Sequence, residues 1–396
     1  MNVKEQLMSH LKHLAADIGP RPSGSQGNHA AAAYIGDVFR GAGLQVEEQR
    51  YECPAWQDQE TCLELAGERL EAAANVFSPP CDVSAPALAI GTVAELEAAE
   101  LRGRIGILYG DLTRSPLAAK AWPYKGERDE RVVHLLEEKG PAALLTVQTK
   151  TGSMERLIED SEFAIPSATV PASAGLALLR QGTPAVHLQI KSRRGPGHSC
   201  NVVARKAVAG QARIVMCAHY DTKVDTPGAS DNAGGVSVLL CLAQLLSQRE
   251  HALGLEWVAF GGEEYLPMGD DEYVRRCGDS FGQIVVAINL DGVGRYLGAN
   301  NITAMASSES FKTHVAELSH KYPGIVWVDP WPESNHSTFA NRGVPSMALS
   351  SSSGGGGAHL RSDTVEQVSP AKLSEVLSLV ADIVDSLQDK QPSWTR

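Results

Sequence analysis

The chain has 396 residues, of which 43% are hydrophobic, and its formal net charge at pH 7 is −12. This length exceeds what one hydrophobic core usually serves, so we expect a large domain and a smaller one. The negative charge argues against nucleic acid or an anionic membrane as the main partner, and it mildly favours cationic or amine-bearing substrates. The seven cysteines are scattered without a C-x-x-C pair and indicate no disulfide framework.

The N-terminal region is predicted to be helical. Residues 3–17 place leucines at helical spacing, and residues 25–40 form a second helical stretch after the breaker GPRPSGSQG. An edge strand is expected at 44–52. Because residues 1–17 carry charges and histidines throughout, they predict neither a signal peptide nor a membrane-spanning helix. We therefore expect a cytoplasmic protein.

Residues 61–190 differ in character from the rest of the chain. Short strands such as ALAIGTV and RIGILYG alternate with brief helices, and the segment carries no carboxylate–histidine cluster. Since loops tolerate insertions, we predict a smaller α/β domain at 61–190, inserted into a main domain formed by 1–60 and 191–396. Plain continuation of the main sheet is the alternative.

In the second half of the chain, apolar strand patterns alternate with helical ones. Residues 199–204 resume the main domain, and strands are then predicted at 213–218, 255–260, 283–290, 325–328 and 344–349. The last helix, at 371–387, carries an apolar stripe and should pack on the core. This alternation predicts an α/β fold in which helices sandwich a mixed, largely parallel sheet.

The stretch from Arg213 to Leu240, RIVMCAHYDTKVDTPGASDNAGGVSVLL, indicates a metal site. A buried strand leads into His219 and Asp221, which should point the same way, so that Asp221 can orient the His219 ring through its second nitrogen. Ser230 or Asp231 is then expected to cap the helix that follows, so that Asp231 lies at the N-terminus of that helix. Each residue alone has an ordinary structural explanation, so the remaining ligands decide the interpretation.

Later strands also lead into acidic residues. Glu263 and Glu264 follow an apolar strand and two glycines, and because their side chains diverge, one could bind a metal while the other acts as a general base. Asp291 follows the hydrophobic run IVVAINL, where an ionised carboxylate needs a compensating cation. His336 and His359 lie further along the chain, the latter after the low-complexity segment SSSSGGGG.

Five groups therefore lie just beyond predicted strand ends or in the loops that follow, where open α/β sheets bind their ligands: His219, Asp231, Glu264, Asp291 and His359. Mixed imidazole and carboxylate donors suit one or two Zn²⁺ ions, and Asp231 is placed to bridge a pair. Each feature alone is a weak signal, whereas their ordered combination is specific.

The order of the motifs HYD, PGASDNAGGV, GGEE, NLDGVG and a late histidine before SDT resembles the co-catalytic dizinc aminopeptidase family. That family also holds glutamate carboxypeptidases and glutaminyl cyclases. The resemblance covers GPRPSGS and the chain from Ser199 onward, and it implies the zinc exopeptidase fold. The inserted segment looks like a protease-associated domain, on the looser evidence of RGRIGILYGD and FAIPSATVP.

The resemblance also implies the role of each site residue. Two zinc ions per chain would share one bridging carboxylate, and the ligands would be His219 and Asp291 for one ion, Glu264 and His359 for the other, and Asp231 for both. Glu263 would be the general base that moves a proton from water to the leaving amine. Asp221 would orient His219.

Two departures from the family pattern leave parts of the site open. Many relatives have a tyrosine directly before the last histidine ligand, where it can stabilise the oxyanion, but this chain has Ala358 there. His336, Tyr265 or backbone N–H groups of the glycine-rich loop are candidates for that role. The residues after Glu264 also differ from the family's more usual small ones, so the size of the substrate pocket stays open.

The leading prediction is a zinc aminopeptidase that hydrolyses N-terminal residues from peptides. A carboxypeptidase or dipeptidase of the same family would need a cationic clamp for a carboxylate, for which Arg295, Arg342 and Arg361 are candidates. A glutaminyl cyclase is disfavoured because that relative typically works with one zinc. A catalytically silent binding module is disfavoured by the retention of Glu263 and of every ligand. The oligomeric state does not follow from the sequence.

Overall fold

The computed structural model describes residues 2–117, 120–121, 126–150, 154–182, 184–206, 212–353 and 357–396. The chain forms two units, one made of Met1–Cys53 with His198–Arg396 and the other of Pro54–Gly197. The smaller unit extends seven residues beyond the predicted segment 61–190 at each end. Both boundaries fall inside long strands rather than loops, so no turn signal marked them in the sequence.

The strands, in chain order, are β1 (Gln45–Leu65), β2 (Glu68–Leu70), β3 (Ala73–Ala74), β4 (Cys81–Ile90), β5 (Ile105–Leu108), β6 (Ala143–Gln148), β7 (Ser167–Pro171), β8 (Ala185–Lys206), β9 (Arg213–His219), β10 (Gly254–Phe260), β11 (Ile284–Leu290), β12 (Gly298–Met305), β13 (Ile325–Trp327) and β14 (Ser346–Ser353). The helices are α1 (Val3–Lys12), α2 (Gln26–Gly41), α3 (Val93–Ala98), α4 (Glu127–Lys139), α5 (Ala172–Arg180), α6 (Gly234–Leu246), α7 (Met268–Cys277), α8 (Glu309–Ser319), α9 (His336–Ala340), α10 (Pro370–Ser386) and α11 (Pro392–Thr395). Shorter helical turns cover His13–Ile18, Gly110–Thr113, Ala229–Ala233, Gly278–Gln283 and Val365–Gln367.

The larger unit is built on a sheet with the strand order β13-β12-β14-β11-β9-β10-β8. Strands β14, β11, β9 and β10 run parallel to one another. On either side of these four, β12 pairs antiparallel with β14, and β8 pairs antiparallel with β10. The predicted mixed, largely parallel sheet is therefore confirmed.

The central strand β9 is buried on both faces. Ile214, Met216 and Ala218 share a buried cluster with side chains of α1, α2, α6, α8 and α10. Val215 and Cys217 belong to a second cluster that includes side chains of α7 and α9. A strand covered on both faces needs apolar residues at every position, which explains the continuous hydrophobic run in the sequence. Each fully buried aliphatic side chain contributes about 2 kcal/mol to the stability of this sandwich.

Helix α6 is the central helix of the larger unit. The segment Ala229–Leu246 is apolar and long enough to cross a membrane, but 83% of it is buried, as in the core helix of a globular unit. Its first turn lies against the end of β11, because a Cβ on Gly235 would stand only 2.3 Å from the carbonyl oxygen of Leu290. Glycine permits this approach, which brings the loop before α6 close to Asp291.

The smaller unit contains a second α/β arrangement. Strands β4, β5, β6 and β7 are parallel neighbours, β3 pairs antiparallel with β7, and residues 185–190 of β8 pair antiparallel with β4. Two buried clusters occupy this unit, and they take alternate residues of β5 and β6. The resemblance of this segment to a protease-associated domain stays a prediction.

Several elements differ from the sequence prediction. Strand β1 continues to Leu65, well beyond the predicted 44–52. Strand β12 was missed because buried asparagine and threonine residues interrupt its apolar pattern. Strand β14 runs on through Ser353, so the serines of the low-complexity segment are strand residues. Residues 354–356 of the predicted glycine loop lie outside the described residues.

Candidate metal centre

The predicted ligands follow the carboxyl ends of four adjacent parallel strands. His219 is the last residue of β9, and Asp291 directly follows β11. Glu264 lies four residues after the end of β10, and His359 lies six residues after the end of β14. Because parallel strands end at the same edge of a sheet, these side chains converge on one place.

Asp231 lies between two pairs of these ligands. Its Oδ1 is 3.2 Å from Nε2 of His219, and its Oδ2 is 3.1 Å from Nε2 of His359. Nε2 of His219 is also 3.3 Å from Oδ1 of Asp291, and Nε2 of His359 is 3.3 Å from Oε2 of Glu264. The five residues thus form two pairs that share one carboxylate.

The chemistry of these donors fits zinc. His219, Asp231 and Glu264 each offer a ligand atom within 4.8 Å of the other two. Oε1 of Glu264 is buried and has no hydrogen-bond partner among the described residues. Burying an unpaired carboxylate oxygen is costly, and a bound cation removes that cost. Imidazole nitrogens together with carboxylate oxygens are ligands that catalytic zinc sites use.

Neighbouring carboxylates control the protonation of both histidines. Burial lowers the pKa of His359, but Glu264 and Asp231 outweigh that effect and raise the pKa to about 11. Burial likewise lowers the pKa of His219, whereas Asp291 and the other nearby carboxylates raise it well above its usual value. The carboxylates therefore favour the protonated form of each ring, and a bound metal ion would take the place of those protons.

Asp221 is fully buried beneath this site. Its carboxylate accepts the backbone N–H of Glu263 at 3.1 Å and that of Glu264 at 3.2 Å. Its Oδ1 lies 3.5 Å from Nδ1 of His219, which is 3.3 Å from the Asp221 backbone oxygen. The Asp221 carboxylate therefore lies near His219, but its shorter contacts hold the two glutamates, and its role in orienting His219 stays a prediction.

Glu263 is partly buried beside the ligands. Burial raises the pKa of its carboxyl well above the usual value, and the charges of Glu264, Asp291 and Asp221 raise it further, while His219 lowers it. A carboxyl group with a raised pKa is suited to accept and release a proton near neutral pH.

The prediction that Ser230 or Asp231 caps α6 is wrong. The helix begins after Ala233, and Asn232, rather than Ser230 or Asp231, accepts an N–H of its first turn. Both residues instead donate to the carboxylate of Asp363, through the N–H and hydroxyl of Ser230 and the N–H of Asp231. The preceding turn uses Gly228 at φ +60°, where a Cβ would lie 2.5 Å from the Asp231 carbonyl oxygen.

Asn232 connects the same loop to the sheet. It follows a cis peptide bond after Asp231 and is fully buried. Its Nδ2 donates to the Leu290 carbonyl at 2.8 Å, and its Oδ1 accepts the N–H of Gly235 at 3.1 Å. The carboxylate of Asp231 therefore lies on a loop that is hydrogen-bonded to the end of β11.

Sequence reasoning missed the role of Arg21, whose only signal was an arginine between two prolines in the breaker GPRPSGS. The side chain is fully buried. Burial lowers its pKa to about 10, and nearby carboxylates, including Asp221 and Asp363, oppose that shift. It donates to the backbone carbonyls of Leu14, Gly19, Tyr220, Pro227 and Gly228. Arg21 thus places a permanent positive charge beneath the acidic site.

The structure narrows the candidates for the oxyanion donor. His336 is fully buried, and its Nε2 lies 2.7 Å from the Trp331 carbonyl oxygen. That oxygen can only accept, so Nε2 carries the hydrogen. Burial lowers the pKa of His336 and so disfavours the doubly protonated ring, the form in which Nδ1 could also donate. Tyr265, whose hydroxyl accepts the N–H of Val224 at 2.7 Å, stays a candidate.

The chain is similar in sequence to known peptidases and aminopeptidases. Residues 201–384 match the family model of peptidase family M28. The chain is 26% identical over 294 residues to aminopeptidase YwaD of Bacillus subtilis, covering 72% of this chain and 61% of that protein. It is 25% identical over 306 residues to the probable lipoprotein aminopeptidase LpqL of Mycobacterium tuberculosis, covering 72% and 58%. These matches span less than two thirds of either relative.

The fold has a close counterpart among solved structures. The structure of BSAP, a zinc aminopeptidase from Bacillus subtilis, superposes with a TM-score of 0.81 at 22% sequence identity. The alignment covers 99% of this chain and 97% of that chain. At this level of identity the similarity establishes the fold.

Proposed function

We propose that this chain is a zinc-dependent aminopeptidase of peptidase family M28 that releases N-terminal residues from peptides. The observation that carries this proposal is the position of Asp231, whose two oxygens contact the two different histidines. This arrangement, in which two histidine–carboxylate pairs share one carboxylate, supports two adjacent sites for Zn²⁺. The aminopeptidase names of two curated relatives support the reaction class.

The residues of the chain have distinct tasks in such a reaction. When bound, zinc polarises the scissile carbonyl group and lowers the pKa of the attacking water. Glu263 accepts a proton from that water and then delivers it to the nitrogen of the leaving amine. Asp221 accepts the backbone N–H of Glu263 and so fixes the backbone from which the Glu263 side chain extends. Proton transfer by a positioned group of this kind contributes about 10²- to 10⁴-fold in rate.

The surroundings favour the amino end of a peptide over its carboxyl end. A carboxypeptidase needs a cationic clamp, but Arg361 is paired with Asp225 at 2.8 Å. Arg342 donates to the Thr338 carbonyl and lies 5.5 Å from the ring centre of Phe281. Arg342 is thus engaged by this chain's own groups, whereas the ion pair of Arg361 is exposed. The acidic site in addition attracts a cationic α-amine.

The test compares the wild type with Glu263→Gln, using zinc-loaded protein, free-amine peptides and the same peptides acetylated at the N-terminus. We expect the wild type to cleave only free-amine peptides. The variant should lose about 10²- to 10⁴-fold in kcat while its zinc content stays unchanged. Glu309→Gln is the matched control, because the Glu309 side chain is 85% exposed on α8, and it should behave as the wild type.

Two outcomes would contradict the proposal. Equal cleavage of acetylated and free-amine peptides would move the assignment to a carboxypeptidase or an endopeptidase. Full activity of Glu263→Gln would remove Glu263 as the base.

A further inference from the structure

The bridging carboxylate and the last histidine ligand both lie outside regular strands. Asp231 is in the turn Ala229–Ala233 before α6, and His359 is in the segment after β14 with φ of +63°. Loops adopt one conformation only when contacts with the rest of the protein determine it. Nε2 of His359 lies 3.1 Å from Oδ2 of Asp231, so contacts that both loops share are needed to keep these atoms together.

Asp363 makes the contacts that such a support requires. It is 2% exposed, and its Oδ1 accepts the N–H of Ser230 at 2.9 Å and the Ser230 hydroxyl at 2.6 Å. Its Oδ2 accepts the N–H of Asp231 at 3.0 Å. Its backbone carbonyl accepts the N–H of Ala229 at 3.1 Å. Bonds to an ionised carboxylate are stronger than neutral ones. Three such bonds, together with the one to the backbone carbonyl, fix three consecutive residues of the loop.

The same residue also belongs to the His359 loop. Asp363 lies four positions after His359, and its N–H donates to the Leu360 carbonyl at 3.0 Å, which closes a turn between them. A rotation or shift of this turn would therefore move His359 and the Asp231 backbone together. The hydrogen bonds of Asp363 therefore connect the backbone of the Asp231 loop to the turn that follows His359.

A second link between the two loops provides a comparison. Arg361 is paired with Asp225 at 2.8 Å, but their side chains are 78% and 40% exposed. Exposed ion pairs of this kind stabilise little because water and salt screen them. The buried Asp363 contacts therefore supply most of the positional order.

We propose that Asp363 is a positioning residue that holds Asp231 and His359 in register and thereby sets the affinity of the Glu264–His359 pair for a metal ion. The proposal rests on the proposed zinc function of the site. Asp363 supports two of the three ligands on that side, Asp231 and His359, whereas on the side of His219 and Asp291 it supports Asp231 alone.

The experiment measures stepwise metal affinity of the full chain. Zn²⁺ is titrated in competition with a chelating indicator, and Co²⁺ is used as a spectroscopic probe of each site. His359→Ala identifies which Co²⁺ absorption bands belong to the Glu264–His359 pair. Melting temperature is recorded for every variant in the metal-free state, so that a loss of folding is separated from a loss of metal binding.

Asp363→Asn should weaken metal binding at the Glu264–His359 pair by about 10- to 100-fold and at the other pair by no more than about threefold. The asparagine amide has the size of the aspartate carboxylate, but its N–H₂ group cannot accept hydrogen bonds from the N–H and hydroxyl groups of Ser230 and Asp231. Ser230→Ala, which keeps the carboxylate and removes one donor, should weaken the same site by about threefold to tenfold. Asp225→Asn, which breaks the exposed link between the same loops, should stay within about twofold of the wild type.

Three results would overturn the inference alone: equal weakening of both sites in Asp363→Asn, unchanged affinities despite a lower melting temperature, or an effect of Asp225→Asn as large as that of Asp363→Asn. A wild-type chain that binds no second Zn²⁺ and cleaves no peptide would instead overturn the proposed function, together with the inference.

Discussion

The two pairs of ligands are supported by different kinds of structure. His219 ends the central strand β9 and Asp291 directly follows β11, so hydrogen bonds of the sheet hold their backbones. Glu264 and His359 lie several residues beyond β10 and β14, where loop contacts take over. The His219 side chain is 1% exposed, whereas that of His359 is 37% exposed.

This difference indicates how the site would fail. A ligand at a strand end is as stable as the sheet itself, because moving it requires breaking the ladder of backbone hydrogen bonds. A ligand on a loop can move through a local opening that leaves the sheet intact. We therefore expect the Glu264–His359 pair to be the more labile half of the site and the His219–Asp291 pair to be the more rigid half.

The largest effect is expected from a substitution that disrupts both pairs of ligands and so abolishes the difference between them. Arg21→Met leaves five backbone carbonyls without their donor and the acidic site without its buried counter-charge. We expect the free energy of unfolding to fall by about 4 kcal/mol, measured by urea denaturation of the metal-free protein. Arg50→Met is the control, because the Arg50 side chain is 74% exposed. A loss below about 1 kcal/mol in Arg21→Met would show that this support is dispensable.

An intermediate effect is expected when one pair of ligands is removed at a time, which compares the zinc affinities of the two pairs directly. His359→Ala leaves the His219–Asp291 pair intact, and His219→Ala leaves the Glu264–His359 pair intact. Both variants keep the shared Asp231. We expect His359→Ala to keep one zinc ion with about tenfold higher affinity than the ion kept by His219→Ala, because the surviving pair is held by the sheet. Metal content after dialysis against buffers of fixed free zinc gives both affinities. Equal affinities, or the reverse order, would mean that loop position does not weaken a ligand.

The smallest effect on the two pairs of ligands is expected at Asp270, where a substitution should alter stability but not metal affinity. The carboxylate of Asp270 accepts bonds from Asn335 at 2.8 Å and Thr338 at 2.5 Å, and burial raises its pKa from 3.8 to about 6. The folded chain therefore holds this proton at pH values where the unfolded chain has lost it. As a result, the free energy of unfolding falls as the pH rises from about 4 to about 6, by up to about 3 kcal/mol.

Asp270→Asn cannot titrate at this position and should lack that part of the pH dependence. Urea denaturation of metal-free protein at pH 4.5 and pH 7 measures it, with the variant gaining stability relative to the wild type at the higher pH. Zinc affinity of both pairs should be unchanged. Parallel stability curves for the two proteins would show that Asp270 does not carry the raised pKa.

Hydrophobic patterns in the sequence predicted the strands that carry the site. The apolar runs before His219, Glu263 and Asp291 are continuous because β9, β10 and β11 are covered on both faces, and a run of that kind is visible locally. The end of such a run also locates the polar residue that follows it. The positions of the candidate ligands, and the parallel sheet that gathers them, could therefore be predicted without coordinates.

Which ligand faces which neighbour was decided by tertiary structure. The sequence suggested a capping role for Ser230 and Asp231, but their N–H groups are used by Asp363, 133 and 132 residues away. Arg21 reaches Gly228 across 207 residues. Strand and helix periodicity describes only neighbours along the chain, so it carries no information about such pairings. The sheet was readable from local hydrophobicity, whereas the contacts that hold the loops depend on residues that only folding brings together.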